Sequence, residues 1–131
     1  MSASDARHQN PLARARGLGS AKDGSHHWWV QRVSAVALAL LTPWFLYLII
    51  GLAGADQATA RAAIAPPLTA SLLIAYVLAL FWHARLGVQV VIEDYVHARA
   101  LEVALQLAVR FVFALAAIAS VIAIGRVAFM A

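Results

Sequence analysis

Phe81-Trp82-His83-Ala84-Arg85-Leu86-Gly87-Val88-Gln89-Val90-Val91-Ile92-Glu93-Asp94-Tyr95-Val96 begins inside a long apolar segment and ends on two carboxylates and a phenol. The fifteen residues leading into His83, Leu68 to Trp82, carry only Thr69 and Ser71 as polar side chains. Leu68 to Ile92 is therefore a membrane span, since about 20 apolar residues cross a bilayer. His83 is the only histidine of the chain within an apolar run. An ionisable group so placed is a functional candidate by default, because lipid does not solvate it.

The rest of the chain repeats this pattern. Of 131 residues, 63% are hydrophobic and 12% charged, whereas soluble domains carry about 25% charged residues. The class is all-α integral membrane, one domain with spans at 33–52, 68–92 and 103–127, preceded by a polar basic tail over 1–24. The absence of cysteine excludes a chain-borne iron–sulfur cluster, a covalently attached c-type haem and a disulfide framework. The net charge of +4 gathers at the N-terminus, which is topogenic and gives no sign of nucleic-acid binding.

Arg7, Arg14, Arg16 and Lys22 lie among Ser, Ala, Gly and Asn. This tail is either topogenic or a docking arm, and no secretory signal peptide is expected because the apolar core from Val33 is too long. Ser25-His26-His27-Trp28-Trp29-Val30-Gln31-Arg32 suits the headgroup layer, with Asp23 or Ser25 as a cap. Thr42-Pro43 is expected to kink or loosen the first span. A loop follows from Gly51 to Pro67, where Pro66-Pro67 stops one helix and starts the next. Glu93 to Glu102 is expected to form the second loop. Between Arg110 and Arg126 lie fifteen uncharged residues, about 21 Å of helix, so Arg110 must snorkel to the interface or face protein. The Lys/Arg distribution places the N-terminus and second loop in the cytoplasm (or matrix), with the first loop and C-terminus outside.

Ala79 and Gly87 lie four residues either side of His83, on its helical face. Small neighbours let a flat ligand approach the imidazole, which is a good axial ligand for haem iron. They equally serve plain helix packing, with His83 hydrogen-bonded across the interface. His8, His26, His27 and His97 all lie outside the spans, so a second axial ligand inside the membrane must come from another chain. Asp94 lies eleven residues beyond His83, about 16 Å along a helix. Tyr95 can donate to a quinone carbonyl and a carboxylate can relay protons. Alternatively, Glu93 and Asp94 end one helix and cap the next, with Tyr95 an interfacial aromatic. Arg32 can pair with a haem propionate or serve as an interfacial cation.

The run His83-Ala84-Arg85-Leu86-Gly87-Val88-Gln89-Val90-Val91-Ile92-Glu93-Asp94-Tyr95-Val96 resembles the signature of the hydrophobic membrane anchor subunit of succinate dehydrogenase, respiratory complex II. A looser match joins His26, Arg32 and Ala35. The resemblance implies that His83 is an axial ligand of haem b, binding its iron, with the other ligand on a companion cytochrome b subunit. It implies that Tyr95 hydrogen-bonds ubiquinone beside Asp94, and that Arg32 lies by a haem propionate. It further implies flavoprotein and iron–sulfur subunits as partners and no activity for the chain alone. The implied setting is the tricarboxylic acid cycle and aerobic electron transport at the lipid bilayer of a bacterial inner membrane, or else a mitochondrial one. Arg85 and the basic tail are outside the pattern. The competing readings are a fumarate reductase anchor and a cofactor-free scaffold or assembly protein. A scaffold has no reason to hold His83, Gly87, Asp94 and Tyr95 at this spacing.

Overall fold

A computed structural model describes residues 21–129, with side chains from Trp28 onward. The sequence expectations for Arg7, His8, Arg14 and Arg16 fall outside the described residues, as do the side chains of Lys22, Asp23, Ser25, His26 and His27. Every regular element described is a helix: α1 (Ala21–Gly51), α2 (Gln57–Ile64), α3 (Pro67–Tyr95) and α4 (Arg99–Phe129). Three of them, α1, α3 and α4, are long and apolar enough to cross a membrane. Their backbone polar groups are satisfied within each helix, which is what hydrocarbon demands. The chain divides after Arg32, within α1.

The helices overrun the sequence-derived boundaries. α1 starts at Ala21, so Asp23 and Ser25 lie within it rather than at its cap, and it runs through Pro43 without interruption. The expected loop from Gly51 to Pro67 contains α2, an eight-residue helix with no buried residue. The Asp56 carboxylate accepts from the Thr59 backbone N–H at 2.8 Å and so caps it. Hydrogen bonds from the Thr59 hydroxyl and then its backbone N–H hold the Asp56 carboxyl below its ordinary value. Gly54 turns the chain before this cap at φ 81°, a left-handed conformation that glycine adopts freely. Pro67 opens α3, where a missing N–H costs nothing.

The second loop shortens to residues 96–98. Glu93 accepts from Gln89 Nε2 at 2.8 Å and from Gln106 Nε2 at 3.4 Å, tying the end of α3 to the start of α4. Gln106 Nε2 also reaches Glu102 Oε1 at 3.3 Å. Glu102 sits in the first turn of α4, where the helix dipole favours an anion.

α3 is the central helix of the unit beginning at Val33. Its buried residues are Ala70, Leu73, Tyr76, Leu86 and Ile92. Phe45 of α1 stacks on Tyr76, with centroids 4.3 Å apart, and Phe81 meets Phe113 of α4 edge-on at 6.1 Å. Ser34 bonds to His83, so residue numbers run in opposite directions along α1 and α3. The pairs Phe81–Phe113 and Glu93–Gln106 show the same antiparallel relation for α3 and α4.

The chain covers little of its own apolar surface. The apolar stretches of α1, α3 and α4 are 6%, 17% and 0% buried within it. Leu40, Tyr47, Leu68, Phe111 and Leu115 are each more than 60% exposed. In water each such side chain would forgo about 1.5–3 kcal/mol of burial. The fold is built to be finished by lipid and by other helices.

Candidate functional site

His83 projects from the middle of α3 toward α1, where Ser34 Oγ lies 3.0 Å from its Nδ1. Ser34 is the one buried polar side chain among the described residues, at 8% exposure. A hydroxyl at such depth in an apolar span needs a partner, because burying it unpaired costs about 1–3 kcal/mol. The other ring nitrogen, Nε2, has no hydrogen-bond partner among the described residues. The imidazole therefore has one nitrogen tied to the chain and one available.

Gly87 lies one turn beyond His83. A Cβ added there would meet no atom within 4 Å. The helix face next to the imidazole is open, and glycine at 87 is not required by packing within this chain. Among the described residues no group of three or more His, Cys, Asp and Glu side chains gathers as a metal site. What the donor set offers a metal is a single imidazole beside open space. Such a donor set would hold a haem iron through one imidazole nitrogen, with every other contact supplied from elsewhere.

Asp94 and Tyr95 occupy the last turn of α3. Both are exposed, Tyr95 at 78%. Neither side chain makes a hydrogen bond or ion pair with another described residue. Glu93, their neighbour, is engaged by Gln89 and Gln106. The pair thus presents an uncommitted O–H donor and an uncommitted carboxylate at one end of the membrane helix.

Arg32 belongs to the other unit, on α1. Its guanidinium carbon lies 5.2 Å from the Trp28 ring centroid, a cation–π contact. Trp28 and Trp29 meet edge-on at 5.3 Å. Arg85, two residues beyond His83 and so on another face of α3, turns its guanidinium over Trp82 at 4.7 Å.

Sequence reasoning missed Ser34 as a partner of His83. Its only signal was a hydroxyl in an apolar run. It also missed the glutamine–glutamate cluster, whose signal was the four-residue spacing of Gln89 to Glu93 and of Glu102 to Gln106.

These features define a class: a three-span membrane protein with one histidine inside a span and a free acid–phenol pair at the end of the same helix. The family model for succinate dehydrogenase/fumarate reductase transmembrane subunits matches residues 6–123. The chain is 35% identical over 113 residues to the succinate dehydrogenase hydrophobic membrane anchor subunit of Rickettsia bellii (strain RML369-C), covering 86% of this chain and 90% of that one. It is 34% identical over 120 residues to the subunit of the same name from Paracoccus denitrificans, covering 92% of each. It is also 35% identical over 82 residues to the succinate dehydrogenase membrane anchor subunit of Reclinomonas americana. The chain belongs to the succinate dehydrogenase/fumarate reductase transmembrane subunit family, among the membrane anchors of succinate dehydrogenase. No solved structure matches it.

Proposed function

We propose that this chain anchors a succinate:ubiquinone oxidoreductase in a bacterial inner membrane, holding haem b jointly with a cytochrome b subunit and forming part of the ubiquinone site. The N-terminus and the loop after Tyr95 face the cytoplasm, as the Lys/Arg distribution favours. The flavoprotein and iron–sulfur subunits dock on that face and oxidise succinate. The relatives named above are all succinate dehydrogenase subunits, which favours this direction over fumarate reduction. The chain has no activity alone.

The observation that carries the reading is the state of His83, with Nδ1 held by Ser34 and Nε2 unpartnered beside the open face at Gly87. Ligating histidines use one ring nitrogen for the metal and the other to fix the ring. In the proposed state Nδ1–H would donate to Ser34 Oγ, leaving the Nε2 lone pair to hold the haem iron. Haem b, when bound, supplies a one-electron carrier near His83. Arg32 pairs with a haem propionate. At the helix end, the Tyr95 phenol donates to a quinone carbonyl and orients the ring. Asp94 takes a proton from the aqueous side and passes it to the reduced quinone oxygen.

The test is the complex purified through this chain in mild detergent. Wild type is expected to carry a b-type visible band and to bring down a flavoprotein. His83→Tyr is expected to alter or abolish the band. An unchanged spectrum in His83→Tyr overturns the ligand assignment, and a wild-type preparation without flavoprotein overturns the anchor reading.

A further inference from the structure

A second site lies on the far side of α3 from α1. A cavity of about 460 Å³ opens between α3 and α4, with Arg85 and Arg110 in its lining. The antiparallel register orders the walls into layers. Leu78 faces Ala117, Phe81 and Trp82 face Phe113 and Ala114, and Arg85 shares its level with Arg110. The apolar layers lie deeper. The two arginines sit toward the loop joining α3 to α4, each four residues from the glutamine, Gln89 or Gln106, that donates to Glu93. That spacing is one helical turn, about 6 Å.

The arginines lack anionic partners. Neither Arg85 nor Arg110 forms an ion pair with another described residue, and Glu93 is occupied by the glutamines. Arg85 Nε is buried with no hydrogen-bond partner, although its guanidinium rests on Trp82. A buried, unpaired donor of a charged group is costly, and an anion relieves it. Beyond Arg110 stretch fifteen uncharged residues, so its head must reach back toward the membrane surface. Two guanidinium groups lining one groove match a phosphate, which they bind with paired N–H donors. The apolar layers below match an acyl chain.

We propose that the α3–α4 groove is a binding site for an anionic phospholipid, its phosphate held by Arg85 and Arg110 and one acyl chain lying over Phe81, Phe113 and Ala117. The site is separate from His83, Asp94 and Tyr95 and does not depend on the haem or quinone reading. Basic pockets between membrane helices commonly recognise anionic headgroups. Here the lipid would also cover part of α4, none of whose described residues is fully buried within the chain.

Native mass spectrometry of the intact complex, in detergent supplemented with phosphatidylglycerol or phosphatidylcholine, tests the site. Wild type is expected to retain one phosphatidylglycerol that phosphatidylcholine and inorganic phosphate do not displace. Replacing Arg85→Gln or Arg110→Gln is expected to weaken retention by about tenfold each, and Arg126→Gln, outside the groove, to leave it unchanged. Ala117→Leu keeps both charges while filling the groove, and is expected to lose the lipid even if the arginine variants fail to assemble. Equal retention of the two lipids by wild type overturns the proposal. So does unchanged retention in the arginine variants or in Ala117→Leu, displacement by inorganic phosphate, or a groove that another subunit covers and no lipid enters.

Discussion

Ser34 and His83 are 49 residues apart in the chain and 3.0 Å apart in space. Under the proposed ligation, Ser34 fixes the ring orientation that the iron requires. Ser34→Ala should leave the complex assembled but weaken haem retention by about tenfold or more. Haem absorbance per flavin after detergent washing measures this, and Ser34→Thr should restore it. Unaltered haem content and spectrum in Ser34→Ala would reduce the hydrogen bond to simple packing. Tyr95 has the opposite character, being 78% exposed with no hydrogen-bond partner among the described residues. Tyr95→Phe should therefore change stability by no more than about 0.5 kcal/mol. Quinone reduction should fall and the apparent KM for ubiquinone should rise, while succinate oxidation with an artificial acceptor is unaffected. Steady-state assays with the two acceptors separate these outcomes.

At the scale of the helices, Gly87 and Asp56 show two different demands on local sequence. Gly87→Ala has room within the chain and removes the flexibility cost of a mid-helix glycine, about 1 kcal/mol. The bulkier Gly87→Leu should still give a membrane-inserted chain yet exclude haem from the complex, read as loss of the b-type band with normal recovery of the anchor. Asp56 caps α2 through Thr59, and these bonds hold its carboxyl below the ordinary value. A depressed value in the folded state means the stabilisation is present above the unfolded-state value and is lost as pH falls through the folded-state value. Amide exchange at Thr59 should accelerate below that range, and Asp56→Ala should show the accelerated rate at neutral pH. This helix escapes sequence reading because its eight residues bury nothing. A helix with no core face leaves no apolar periodicity to detect. The second loop was misjudged for a related reason: Glu93 and Glu102 look like loop residues, but side-chain amides satisfy them at the helix ends.

For the whole molecule, the governing fact is how little the three spans bury against each other. A chain so exposed should not accumulate as a stable monomer in water. When expressed without companion subunits it should be degraded or aggregated, and co-expression should restore it to the membrane fraction. Immunoblotting of membrane and soluble fractions checks this outcome.

Residue order alone determined the three membrane helices, because an apolar run of about 20 residues has no other stable setting in a bilayer. It also determined the separation of His83 from Asp94 and Tyr95 along one helix, since helical rise is constant. It singled out these residues as candidates but left each with an ordinary structural role as the alternative. Tertiary packing alone decided that Nδ1 of His83 meets Ser34 while Nε2 stays unpartnered, and that Arg85 and Arg110 share one groove. Those meetings depend on the register of neighbouring antiparallel helices. Register comes from side chains packing across interfaces, and no count along a single helix contains it.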